Sequence, residues 1–378
     1  MYRKFLFILY VVILLLSFFW SIKFYNYPLQ TILVTISLFF GLLVYKQTIK
    51  EIIMNKKYTH LRFYYYYYLS LIIVLVYHDL INHSSSGILK SISMLIYLTY
   101  SIILVYILEH KKYLLLTLSL FFLVLFIYSI GYIFNFRYGQ QIKFFIFENR
   151  TNLAWFLLFL YVLTVENLSK NIRIIQGSIV FGLLLINSSR SPIIVFLIIN
   201  LYFYKDIFLS NKAYKLKLIA LPLLIFVFYL LSDYFTLATE RLLNITNTDY
   251  SSSTGYRLSV IIDSFYYSLE NFLGHGYSSF VDIFSEISNL DLSSKEGEFS
   301  ADNSFIEILI DAGWLPFILL ILFFYKMFKS ENYNIVLIFF LTTLMLFDSI
   351  VYNNFWTLLI ISSLIINANN SKFVNKII

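Results

Sequence analysis

No cysteine occurs in the 378 residues. That excludes disulfides, thiolate catalysis and Cys-ligated metals. It leaves the compartment open, because a cysteine-free chain suits either side of a membrane. Charge is also scarce. Only 13% of residues are Asp, Glu, Lys or Arg, against 60% hydrophobic and 20% aromatic, and a soluble chain of this length needs far more charged surface. Familiar catalytic signatures are missing too. Without a P-loop or a Gly-x-Gly-x-x-Gly turn, nucleotide hydrolysis and dinucleotide redox chemistry have no cradle. No Gly-x-Ser-x-Gly elbow occurs. The five histidines (His60, His78, His83, His110, His275) show no metal-ligand spacing, and no DxD-like carboxylate pair lies within an apolar run.

Apolar runs are what the sequence has instead. They recur from Phe5 to Ile366, so the expected fold class is all-α: one polytopic integral-membrane domain over 1–378. The basic, apolar start "MYRKFLFILYVVILLLSFFW" resembles a signal peptide, but "SIKFYNYP" offers no small-residue cleavage site, which predicts an uncleaved first span. A helix needs about 20 apolar residues to cross a bilayer. On that scale about twelve transmembrane helices are expected, at 5–22, 28–45, 63–80, 91–108, 114–134, 152–166, 174–188, 192–204, 217–235, 303–325, 335–351 and 354–367. With the N-terminus in the cytoplasm, Lys and Arg divide nineteen to nine in favour of the cytoplasmic loops, as the positive-inside rule requires. The net charge of +7 follows from those loops and does not call for nucleic acid as a partner. "FYYYYYL", Phe63 to Leu69, reads as an aromatic belt at the membrane interface rather than a binding stripe.

One loop is unlike the others. Between the ninth and tenth spans, residues 236–302 carry ten acids against three bases and lie on the external face in this topology. Long loops are uncommon unless they are functional. Within it, "YRLSVIIDSFYYSLENFLG" puts Leu258, Ile261, Ile262, Phe265, Leu269, Phe272 and Leu273 on one helical stripe. The stretch "SSST" offers N-caps and Gly274 a C-cap. An amphipathic helix of four to five turns at the membrane surface is therefore expected. The less regular stretch that follows is read as a lid.

Arginine in hydrocarbon costs about 2.5–3.5 kcal/mol on translocon scales, so the arginines near span ends are informative. Arg190 sits in "NSSRSP", among Asn187, Ser188, Ser189 and Ser191, and Pro192 prevents one straight helix. A bent polar turn with a guanidinium suits an oxyanion or diphosphate, which Arg binds bidentately without losing its charge. Arg150 opens the sixth span and Arg257 the amphipathic helix. For Arg137, Lys143 and Arg241 a snorkelling, headgroup-bound role suffices. At the end of the large loop, Asp302 and Asn303 enter the tenth span, and Glu307 and Asp311 follow at four-residue intervals on one face. Asp302 suits a helix N-terminus. Asp311 lies about 14 Å further along at 1.5 Å per residue, so this face is expected to point inward.

These segments resemble the Wzy-type O-antigen and capsular polysaccharide polymerases and the related O-antigen ligases. The matching residues are "SSRSP" (Ser189, Arg190), "GYRLS" (Arg257), "LGHGY" (Gly274, Gly276) and "ADNSFIEILIDAG" (Asp302, Asn303, Gly313), with "ENRTNLAWFLLF" (Arg150) before them. The resemblance implies a glycosyltransferase, GT-C-like and independent of metal or other cofactors, at the outer face of a bacterial cytoplasmic membrane. Its substrate would be undecaprenyl-diphosphate-linked oligosaccharide, with membrane lipids and a chain-length regulator as partners. Arg190 and Arg257, helped by Arg150, would take the departing diphosphate. Asp302 or Glu307 would accept the proton of the acceptor hydroxyl, while Asn303, Ser189, Gly274 and Gly276 would line the substrate site. The ligases carry histidine where this chain has Asp302, which points to polymerase over ligase. A flippase or transporter would instead show internal repeats and pathway charges within many helices, and neither is visible.

Overall fold

The computed structural model describes residues 2–17, 23–24, 27–82, 86–108, 150–165, 170–187, 190–209, 253–280, 282–283, 303–329, 335–348 and 350–374. Among them the architecture is helical apart from a two-residue antiparallel ladder, Lys23–Phe24 with Tyr27–Pro28. The helices are α1 (Tyr2–Ser17), α2 (Leu29–Met54), α3 (Thr59–Asn82), α4 (Ser86–Ile107), α5 (Arg150–Val165), α6 (Lys170–Asn187) and α7 (Arg190–Leu209). They continue with α8 (Ser253–Glu270), α9 (Ser304–Ala312), α10 (Trp314–Phe328), α11 (Ile335–Phe347) and α12 (Asn354–Val374). The expected spans at 114–134 and 217–235, and the expected lid beyond Ile283, lie outside the described residues.

Apolar residues on all sides place α5 in the interior. Ala154, Trp155, Phe156, Leu158 and Tyr161 are completely buried, the pattern of a helix enclosed by others. It packs against α6, α7 and α11. The N-terminal half joins the C-terminal half through α3, which runs along α10, and α4, which meets α12. Outer faces are as apolar as the core. On α3, Tyr66, Leu69, Ile73, Tyr77 and Leu80 are exposed, and on α10 Leu315, Ile318, Leu322, Tyr325 and Phe328. Continuous outward stripes of this kind would aggregate in water and suit a bundle whose solvent is lipid. The chain has the build of a membrane protein. Two described helices, Thr59–Asn82 and Gly87–Ile107, are long and apolar enough to cross a bilayer by length and composition, and seven apolar helices are shorter.

Three expectations are corrected. The tenth span is two helices: Gly313, at φ 74° and ψ −164°, separates α9 from α10. The tyrosine run is not a belt. Tyr64, Tyr67 and Tyr68 turn into the bundle and only Tyr66 is strongly exposed. Tyr64 packs on Phe323 at 5.3 Å between centroids, and the Tyr68 hydroxyl lies 3.1 Å from Thr357 Oγ1. Helical periodicity requires this, since five consecutive residues cannot share one face. Finally, the amphipathic helix stops at Glu270, so Gly274 is not its cap. The apolar stripe itself stays outside: Ile262, Phe265, Leu269, Phe272 and Leu273 are exposed while Ser264 and Ser268 are buried.

Candidate functional site

The large loop meets the bundle at a glycine-lined crossing. Gly274 (φ +75°) and Gly313 (φ +74°) lie backbone to backbone, and a Cβ on Gly274 would stand 2.6 Å from the Gly313 nitrogen. Only glycine permits both the positive φ and the approach. Closeness brings the strands of chain within bonding range. His275 N–H donates to Ile310 O at 2.9 Å, Gly276 N–H to Asp311 O at 2.8 Å, and Trp314 N–H to Phe272 O at 3.0 Å. The broken helix thus supplies carbonyls and an amide that a continuous one would have used internally. Trp314 seals the crossing on the apolar side. Its ring stacks on Phe272 at 5.8 Å, and its Nε1–H donates to Ser268 O at 2.8 Å.

On the polar side, Asp311 is completely buried. Its carboxylate accepts Ser278 N–H and Ser279 Oγ–H, each at 3.0 Å. Asn303 is the cap of α9: its Oδ1 accepts Phe305 N–H at 3.0 Å and Ile306 N–H at 3.2 Å, an arrangement Asn favours at this position. Ser304 ties the same turn to the end of α11, donating to Asp348 O at 2.7 Å and accepting Ile350 N–H at 3.0 Å. Asn303, Glu307 and Asp311 do face inward, as their spacing predicts: two are buried and Glu307 is half-buried.

The α3–α4 hairpin forms the facing wall. His78 Nε2 lies 2.9 Å from Leu273 O, so that nitrogen carries the proton. A Cβ on Gly276 would press on the His78 Cβ at 3.1 Å. Between them stand Tyr277 and Tyr352, their rings edge to face at 5.0 Å, with Lys90 Nζ 5.9 Å from the Tyr277 centroid. Burial, then the charges of Glu307 and Asp311, hold the Tyr277 phenol above its ordinary range. Burial, then Asp311 and Glu307, do the same for Tyr352. Both phenols remain neutral donors at physiological pH. The Tyr352 hydroxyl is buried beside the Asp311 carboxylate.

Residues named from sequence distribute as follows. Gly274 and Gly276 lie at this crossing, Asn303 caps the opposite end of α9 from Gly313, and Glu307 stands between the two ends. Arg190 is the first residue of α7, and Pro192 occupies the first turn, where proline is tolerated. Arg150 opens α5 and Arg257 lies within α8. The side chains of these three arginines, and Ser189 and Asp302 altogether, lie outside the described residues. Sequence reasoning missed His78, Lys90, Tyr277 and Tyr352. Lys90 had a usable signal, being one of few bases on the side of the large loop.

Residues 177–321 match the O-antigen ligase family model, Wzy_C. The match runs from α6 into the first half of α10 and includes Arg190, Arg257, the glycine crossing and Glu307. It agrees with the Wzy/O-antigen ligase superfamily that the motifs resemble. No curated protein matches the chain. His78, Lys90 and Tyr352 lie beyond the matched segment and reach the site only through the fold.

Proposed function

We propose that the protein is a polysaccharide polymerase at the outer face of a bacterial cytoplasmic membrane, joining undecaprenyl-diphosphate-linked repeat units. The observation that carries this reading is the O-antigen ligase family match over the segment holding Arg190, Arg257 and the loop crossing. Asp302, where the ligases have histidine before Asn303, favours polymerisation.

In this reading the acceptor hydroxyl oxygen attacks the anomeric carbon of the donor glycan. The bond between that carbon and the diphosphate oxygen breaks, and its electron pair leaves with undecaprenyl diphosphate. Arg190 and Arg257, helped by Arg150, stabilise the departing charge. Asp302, or failing it Glu307, takes the hydroxyl proton. Asn303, Ser189, Gly274 and Gly276 shape the cleft. The donor carries its own activation, so neither nucleotide nor metal is required. A chain-length regulator protein would be the natural partner.

The family model's own description favours a second reading, a ligase that passes finished glycan to another acceptor. Purified membranes supplied only with the lipid-linked repeat unit separate the two. A polymerase lengthens that glycan, whereas a ligase leaves it at one unit until a separate acceptor is added.

A further inference from the structure

Three positive-φ residues fall within five positions of the large loop: Gly274 at +75°, Gly276 at +106° and Ser278 at +62°. Ser278 is the one non-glycine with positive φ among the described residues. Such backbone persists only where its surroundings over-determine it. Two sets of restraints come from α9, inside the family-matched segment. Ile310 O and Asp311 O accept His275 N–H and Gly276 N–H, and the Asp311 carboxylate takes Ser278 N–H and Ser279 Oγ–H. The third restraint comes from α3. His78 Nε2–H donates to Leu273 O at 2.9 Å, and a Cβ on Gly276 would stand 3.1 Å from the His78 Cβ. One side chain thus touches the turn on both sides of Gly274. The bonds from α9 fasten the turn to its own half of the bundle, whereas His78 fastens it to the facing wall. That wall is itself braced at the next residue. Asp79, buried, accepts Ile88 N–H through Oδ2 at 2.6 Å, and a Cβ on Gly87 would meet Asp79 Oδ1 at 2.6 Å. His78 and Asp79 together therefore fix α4 against the turn, and Lys90 of α4 lies 5.9 Å from the Tyr277 ring of the turn.

We infer that His78, contributed from outside the family-matched segment, is a positioning residue for the substrate cleft: it holds the glycine turn of the large loop against the α3–α4 hairpin at the spacing that transfer needs. Histidine suits the task. Its short planar side chain carries a donor at a fixed reach, and the ring is steadied edge to face against Tyr77 at 5.4 Å. Cleft spacing matters because a misplacement of about 1 Å at a reacting site costs up to about a hundredfold in rate.

The inference rests on the glycosyl-transfer reading, and the test separates the two. Membranes carrying the full chain are given the lipid-linked repeat unit that a deletion strain accumulates, and initial rates are measured against its concentration. His78→Ala and His78→Phe are expected to lower turnover about tenfold with KM within about threefold; the second keeps a ring but no donor. His78→Gln, whose Nε2 has nearly the reach of the imidazole nitrogen, should recover most of the rate, and His78→Asn, one carbon shorter, should not. Hydrogen exchange on detergent-purified protein adds a readout that needs no transfer. Amides of the turn, 274–279, should exchange faster in His78→Ala and His78→Phe than in wild type and His78→Gln, with α5 unchanged. Faster exchange throughout the bundle, or loss of folded protein, in both His78→Ala and His78→Phe assigns His78 a general structural role and overturns the inference. Full turnover in His78→Phe, or a His78→Gln enzyme as slow as His78→Ala, overturns it too and leaves the transferase reading standing. Wild-type membranes that never transfer glycan, even to an added acceptor, overturn both.

Discussion

Gly274 and Gly313 hold one another's backbone: each has positive φ, and neither could carry a methyl group without striking the other's chain. One ends the loop's approach to the bundle and the other breaks α9 from α10. Substituting alanine at either should strain a positive-φ conformation that costs an L-residue about 1–3 kcal/mol and push the segments apart. Thermal unfolding of detergent-purified protein should show each variant below wild type. The double variant should lose less than the two shifts combined, since the first separation relieves the second. Independent, additive shifts would mean that the two do not share one contact.

The Asp311 carboxylate fastens the turn after Gly276. Asp311→Ala leaves Ser278 N–H and Ser279 Oγ–H without that acceptor. An orphaned buried group costs about 1–3 kcal/mol, so a clear drop in unfolding temperature is expected. Asp311→Asn keeps one acceptor oxygen and should fall between wild type and alanine. Equal stability of all three proteins would show that the turn is held elsewhere.

Much of the architecture was legible before any coordinates, and what was not has physical causes. Apolar run length marks a helix, so the described segments fall where hydropathy puts them. Hydropathy does not register a single glycine with positive φ, and the expected span over 303–325 therefore concealed a break at Gly313. Composition cannot orient a run such as Tyr64–Tyr68, whose members alternate between bundle and lipid by helical phase. Of the site, the four-residue spacing from Asn303 to Asp311 disclosed the inward face. Lys90 and Tyr352 could not be found by motif, because they come from distant elements brought together only by packing.

The same tyrosine run yields a paired test. Tyr68 is buried with its hydroxyl 3.1 Å from Thr357 Oγ1, whereas Tyr66 is 55% exposed on the outer face of α3. Removing the buried hydroxyl by Tyr68→Phe should cost about 0.5–1.5 kcal/mol for the hydrogen bond lost. Tyr66→Phe should leave unfolding in detergent unchanged. A Thr357→Val variant should reproduce the Tyr68→Phe shift, and combining the two should add little. If Tyr66→Phe is the more damaging of the pair, the phase of α3 is wrong.

Arg190 is the first residue of α7, and the sequence places three serines beside it. If it holds the leaving diphosphate, Arg190→Ala should reduce glycan transfer by about 10²–10³, the cost of removing one donor aimed at developing charge. Arg190→Lys retains the charge but not the bidentate fork and should recover only part of that loss. Surface polysaccharide on a gel reads the outcome: Arg190→Ala should collapse the ladder to short species, with Arg190→Lys between. Asp302→Asn, run alongside, should shorten the ladder through loss of the proton acceptor. A full ladder from a normally accumulating Arg190→Ala protein would reduce that arginine to a headgroup contact and move the diphosphate site elsewhere.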